Sequence, residues 1–288
     1  MLISPETLAA LLATTAMAVA CAGLSVVVVA RRWAFIGEGI AHSGFGGAGV
    51  AWLVMLLAPR LTNALWLPYL AIIVFCLLTA LAIGYVSRSS RLSADTAIGI
   101  FMVASLAFGF LAQQIFRQAM NGAEPPGFPE ILFGRFSGIS LRYSMATIAV
   151  SVAVIATLLG LGKEILYYCL DPLAAQASGV PATFIHYLLM VLIALVVIIG
   201  IPITGSVLIT ALLVLPGATA NLISQDLRRV ITISVIVATL SAVAGVAVSL
   251  SIHRVHVPAG PIIVLTLFAI FVTTCFVQRV FRPAQQIG

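Results

Sequence analysis

Nine long apolar stretches, at 8–30, 36–58, 64–87, 94–116, 142–162, 184–201, 204–224, 230–252 and 261–280, fill most of the chain and are separated only by short clusters of Arg, Pro, Gly and acidic residues. A helix crossing the hydrocarbon of a bilayer needs ~20 such residues, so nine of them take about 180 of the 288 residues and leave room for little beyond connections. Charged residues make up 8% and mean hydropathy is +1.22, whereas a soluble domain is about a quarter charged. A soluble globular fold is excluded. The expected architecture is all-α, a polytopic transmembrane helix bundle of eight or nine spans forming one domain over residues 1–288. The choice between eight and nine turns on 184–224, where Gly200, Pro202 and Gly205 interrupt what is either one bent segment or two helices joined by a tight turn. Broken helices are tolerated at membrane depth where protein or a cavity surrounds them, so the interruption hints at a transport path.

The net charge of +6 raises the question of nucleic acid, but the 14 basic residues are scattered through the connections without a basic run or basic–aromatic face, and no nucleic-acid partner is expected. Their distribution fits membrane topology instead. With the N-terminus outside, Arg31, Arg32, Arg88, Arg91, Lys163, Arg228, Arg229, Arg279 and Arg282 fall on the cytoplasmic side, nine against the five at Arg60, Arg117, Arg135, Arg142 and Arg254. The positive-inside rule prefers this orientation, with a cytoplasmic C-terminus. Trp33, Trp66, Tyr69, Tyr85, Tyr143, Tyr167 and Tyr168 sit near span ends, where interfacial aromatics collect. Residues 1–7 lack the basic start of a signal peptide, so the first span is expected to remain as an anchor. Cys21, Cys76, Cys169 and Cys275 lie far apart without C-x-x-C spacing and read as packing residues.

Ionisable chemistry enters the second span at Glu38 and His42. Four residues apart on a helix, they share one face. A carboxylate and an imidazole side by side are suitable ligands for a first-row divalent cation. Burying an unpaired charge at the bilayer centre costs ~2.5–3.5 kcal/mol even on the lenient scale, so Glu38 is expected to face protein, water or a cation. Three readings stay open: metal ligation, an interfacial ion pair with Arg31 or Arg32, which are about 10 Å away along the axis, and a buried structural hydrogen bond. The glycines that follow, Gly46 and Gly49, suit close helix approach along a path between helices or subunits. His253 and His256 flank Arg254 in an outer loop and read as a solvated pair, His186 reads as interfacial, and Ser93 with Asp95 reads as the capped start of the fourth span. The Pro- and Gly-rich segment 119–130 is either a plain connector or a docking surface on the outer face.

Between the fifth and sixth spans, Asp171-Pro172-Leu173-Ala174-Ala175-Gln176-Ala177-Ser178-Gly179 has an N-cap, a proline at the first helical position and a glycine stop, with Pro181 beyond. It predicts a helix of under two turns, too short to stand alone in water. It docks either on the chain itself or on a soluble partner. No phosphate-binding G-x-x-x-x-G-K-[ST] is present: Gly162-Lys163 is followed by Glu164, and Thr157 stands where the first glycine belongs. No constellation of an intramembrane enzyme is present either, and if transport is ATP-driven the nucleotide is hydrolysed by another subunit.

Five ordered stretches resemble one family: Phe35-Ile36-Gly37-Glu38 through His42; Asp95-Thr96-Ala97-Ile98-Gly99-Ile100; Ile131-Leu132-Phe133-Gly134; Asp171-Pro172 through Ser178-Gly179; and Gly205 through Ala220. The chain is similar to the integral-membrane permease subunit of bacterial zinc, manganese or iron ABC importers, the type II group served by a metal-binding surface lipoprotein. The resemblance implies a homodimeric pore in the plasma (inner) membrane, two cytoplasmic ABC ATPase subunits, and an extracytoplasmic metal-binding protein. It implies that Glu38 and His42 meet the metal, carried as substrate with no resident cofactor. It further implies that Asp171, Pro172, Ala175, Gln176, Ser178 and Gly179 belong to a coupling helix seated in the ATPase. The family usually has Asp at Glu38, often Leu-Pro-Gly at Phe45-Gly46-Gly47, and commonly a basic residue at Gln176. The alternative is a self-contained channel or secondary transporter in which Glu38 carries a coupling proton. A purely structural scaffold is a third reading, which leaves Glu38 and His42 on one face without a purpose.

Overall fold

Helix is the fold such a chain is restricted to, because within hydrocarbon every backbone N–H and C=O must find its partner internally. A computed structural model describes residues 5–58, 66–89, 92–123, 141–251 and 259–281. The helices are α1 (Pro5–Ala30), α2 (Ile36–Leu57), α3 (Trp66–Ser89), α4 (Ala94–Ala119), α5 (Leu141–Gly160), α6 (Gly162–Leu170), α7 (Pro172–Ala177), α8 (Ala182–Ile223), α9 (Leu227–Ser251) and α10 (Ala259–Phe281). Among the described residues nine segments are long and apolar enough to cross a membrane, α8 supplying two of them, Ala182–Pro202 and Gly205–Ile223. This is a multi-pass membrane protein. The segments around Ile131–Gly134, His253 and His256 lie outside the described residues, as does most of the 119–130 connection.

The break in α8 is at Gly205, whose φ of 77° and ψ of 162° no helix contains and few side chains tolerate. A Cβ built on Gly200 would fall 2.7 Å from Ile209 Cδ1, although nine residues of continuous helix would separate the two by about 13.5 Å. The chain therefore turns back on itself there, so the interrupted region is two spans joined by a tight turn.

Burial sorts the helices into centre and rim. About two-thirds of the spanning residues of α1, α2 and the first half of α8 are buried (67% each), against 17–28% for α3, α4, α5 and α10. The rim helices turn large apolar side chains outward, Leu78, Val103, Met145 and Phe276 among them, as a lipid-facing surface requires. Inside, α1 packs on α8, α5 and α9, while α2 packs on α4, α3 and α8. Buried serines tie the central helices: Ser234 Oγ donates to the Ala22 carbonyl (2.9 Å), and Ser25 Oγ accepts from the Gly217 N–H (2.8 Å) beside Pro216. Such interhelical bonds satisfy polar groups that lipid cannot.

Glycines set the spacing around α2. A Cβ on Gly47 would lie 2.7 Å from Ile72 Cα and 3.0 Å from the Ala71 carbonyl, and one on Gly49 would lie 2.9 Å from Ala112 Cβ. On the facing helix, a Cβ on Gly109 would meet Phe45 at 2.3 Å. The glycine stripe is thus occupied by α3 and α4 of the same chain. Two of the aromatics near span ends are also covered: Trp33 and Tyr168 are buried, whereas Trp66, Tyr69, Tyr85 and Tyr167 are exposed. The four cysteines are free, Cys21 and Cys76 fully buried. Ser93 caps α4, its side chain accepting from the Thr96 N–H.

Candidate functional site

Helix α2 starts at Ile36 after a tight corner in which Trp33 N–H donates to the Val28 carbonyl and Ile36 N–H to the Trp33 carbonyl (2.9 Å each). Arg32 takes a left-handed φ of 58° to make that corner. Glu38 and His42 then project from one face, the imidazole Nε2–H donating to Glu38 Oε1 at 2.6 Å. The other carboxylate oxygen, Oε2, accepts from the Thr210 hydroxyl at 2.9 Å. Both oxygens are therefore held, one by α2 itself and one by the half of α8 beyond the Gly205 break.

The depth of the pair follows from its neighbours. Cys76, the eleventh of the 24 residues of α3, places its Sγ 3.5 Å from the Ile40 carbonyl, between Glu38 and His42 in the chain. Glu38 stands in the first turn of α2, and Ile40 beside it is level with the middle of α3. Arg31 does not reach it: its guanidinium lies over the rings of Tyr168 (4.7 Å) and Trp33 (5.7 Å). The interfacial ion pair with Arg31 is not what forms. The Glu38 and His42 side chains remain 28% and 26% exposed, so the site is open on one side. Among the described residues no group of three or more His, Cys, Asp or Glu could hold a metal ion. The face thus presents one imidazole and one carboxylate, with the Thr210 hydroxyl beside them.

The short helix α7 is built by its own sequence. Asp171 Oδ1 accepts from the N–H groups of Leu173 (2.8 Å) and Ala174 (3.1 Å), Pro172 opens the helix, and Ser178 Oγ donates back to the Ala174 carbonyl (2.9 Å). Gly179, at φ 83°, stops it. Ala175 is fully buried and anchors the helix on the chain; Gln176, Ser178 and Gly179 are exposed. Leu173, 79% exposed beside Leu170 at 77%, is the outward apolar residue that sequence reasoning passed over, because a leucine in a short apolar segment carries no sign of which way it points.

His186, in the second turn of α8, is enclosed by protein. It is buried, with Nε2 3.0 Å from the Gly84 carbonyl and Nδ1 2.7 Å from the Tyr168 hydroxyl. A carbonyl only accepts, so Nε2 carries the proton, Nδ1 accepts, and Tyr168 donates. Burial holds the Tyr168 hydroxyl above its ordinary range, which keeps that donor protonated. Neither Thr210 nor the Tyr168–His186 bond had a local signal. Thr210 is 172 residues from Glu38, and Tyr168 meets His186 across the intervening α7 segment.

Comparison with known proteins assigns the chain and its fold to one group. The ABC 3 transport family matches residues 5–278. The chain belongs to that family. It is 30% identical over 280 residues to the manganese transport system membrane protein MntC of Halalkalibacterium halodurans, covering 96% of this chain and 88% of the relative. It is 28% identical to the chelated iron transport system membrane protein YfeD of Yersinia pestis, covering 95% and 86%. Among solved structures, PsaBC from Streptococcus pneumoniae in complex with Fab superposes with a TM-score of 0.75 at 28% identity, covering 96% of this chain and 94% of that one. This ABC 3 chain is accordingly a membrane permease of the metal-transport type.

Proposed function

We propose that this permease forms the pore of an ATP-driven importer of a divalent first-row cation in a bacterial inner membrane, with manganese or iron as cargo. The observation that carries the reading is the Glu38–His42 pair, open on one side and tethered to α8 through Thr210, in a chain of a metal-transport family. Zinc shares the same ligand chemistry, and affinity order alone does not set selectivity; the relatives' names favour manganese and iron. A second copy of the chain, related by a two-fold axis, would bring a second Glu38 and His42 to complete the shell. The absence of a phosphate-binding motif calls for separate ATPase subunits, which α7 would meet through Leu173 and Gln176. An extracytoplasmic binding protein would deliver the ion. The basic residues favour an N-terminus outside and a C-terminus in the cytoplasm.

Mechanistically, the arriving cation would take the place of the Nε2 proton between His42 and Glu38, the imidazole shifting to its Nδ1–H tautomer so that the Nε2 lone pair is free to bind. Weak, incomplete coordination lets it leave again when the other side opens. The test is Mn²⁺ uptake by proteoliposomes holding the chain with its ATPase. Glu38→Gln and His42→Ala are each expected to lower ATP-dependent uptake at least tenfold while the complex still assembles. Uptake at the parental rate, or uptake by this chain alone driven by an ion gradient, would overturn the reading.

A further inference from the structure

The helix α7 is bracketed by two residues that bond to each other. Tyr168 lies three residues before its Asp171 cap, and His186 lies seven residues after its Gly179 stop. Their 2.7 Å hydrogen bond closes the α6–α7–α8 loop from inside, and both side chains are buried. His186 is held in turn by the Gly84 carbonyl of α3, and Arg88 of α3 donates to Thr183 at the start of α8 (2.6 Å). The corner between α1 and α2 rests on the same group. Trp33 meets the His186 ring edge-on at 5.5 Å and 77°, and the Arg31 guanidinium covers the Tyr168 ring.

We infer that Tyr168 and His186 are positioning residues that make α7 and its flanking helices one rigid lever and pass its movement, through Trp33 and Arg31, to the start of α2 and hence to Glu38. The physical basis is continuity. Glu38 is five residues from Trp33, with only the hydrogen-bonded corner between them. A fully satisfied buried polar group has one preferred geometry, because breaking either bond strands a buried donor or acceptor. Displacement of α7 therefore moves α6, α8 and the α1–α2 corner together instead of dissipating in a loose loop. Packed side chains, hydrogen-bond networks and rigid elements of this kind are what carry coupling between separated sites.

This inference rests on the ATP-driven reading, and the experiment separates the two. Mn²⁺ uptake and ATP hydrolysis are measured on the same proteoliposomes containing the chain with its ATPase. Tyr168→Phe removes one hydroxyl and leaves the ring under Arg31. It is expected to keep hydrolysis within about twofold of parental while uptake falls at least fivefold, so that fewer ions move per ATP. His186→Gln can donate to Gly84 and accept from Tyr168, and is expected to stay near the parental ratio, whereas His186→Leu is expected to lose it. That second pair reads the same quantity should Tyr168→Phe fail to assemble. An unchanged ratio in Tyr168→Phe or His186→Leu, or a proportional fall of uptake and hydrolysis together, overturns the lever. Absence of ATP-driven uptake in the parental complex overturns the importer reading itself.

Discussion

At the scale of single residues, the Glu38 carboxylate decides what the site can do, and its two oxygens have different holders. His42 is a neighbour by helical spacing, so the pair was legible in the sequence: a four-residue interval is local information. Thr210 was not legible, since it lies 172 positions away and a threonine in an apolar helix ordinarily bonds its own preceding turn, as Thr219 does with the Leu215 carbonyl. Its hydroxyl fixes the direction of the carboxylate, the role that outer partners of metal ligands commonly play, with losses of about 10–100-fold on removal. Thr210→Val is accordingly expected to weaken Mn²⁺ uptake about tenfold through a raised KM, with Thr210→Ser near parental. Equal KM values for Val and Ser would show that the hydroxyl does not orient Glu38. His186 was assigned to the interface because sequence shows only that a residue is near a span end, while its burial is decided by Trp33, Tyr168 and Gly84 arriving from three other elements.

Helices and their junctions were the most readable level, because hydrophobic length is imposed by the bilayer and needs no knowledge of neighbours. The capped segment α7 was equally readable, since Asp171, Pro172 and Gly179 act on their own backbone. What sequence left open was the partner of each face. The glycines of α2 suggested a path, and the structure seats α3 and α4 against them: Gly47 backs onto the α3 backbone at Ile72, and Gly49 onto Ala112. Gly47→Ala must push two backbones apart, an overpacking cost of about 1–3 kcal/mol. The expected result is a lower midpoint for thermal aggregation of the detergent-purified protein, with Gly99→Ala, where a Cβ meets nothing within 4 Å, unchanged. Identical midpoints for the two variants would mean that α2 and α3 are not packed as described.

For the whole molecule, the arrangement separates three tasks by layer. Among the buried helices α2 carries the ionisable pair and α8 tethers it, the rim helices turn large apolar side chains outward, and the α6–α7 elbow offers apolar and polar groups at one end of the bundle. Under the proposed function, energy conversion is assigned to a separate ATPase and completion of the ligand shell to a second copy. Both assignments meet in one claim, that the transported ion passes between Glu38 and His42 of two protomers. Anomalous scattering from the assembled complex crystallised with Mn²⁺ locates the ion directly. A manganese peak is expected within coordination distance of the Glu38 carboxylate and His42 imidazole, lost in His42→Ala; a bound ion elsewhere in the pore, with those two side chains still bonded to each other, would contradict this claim.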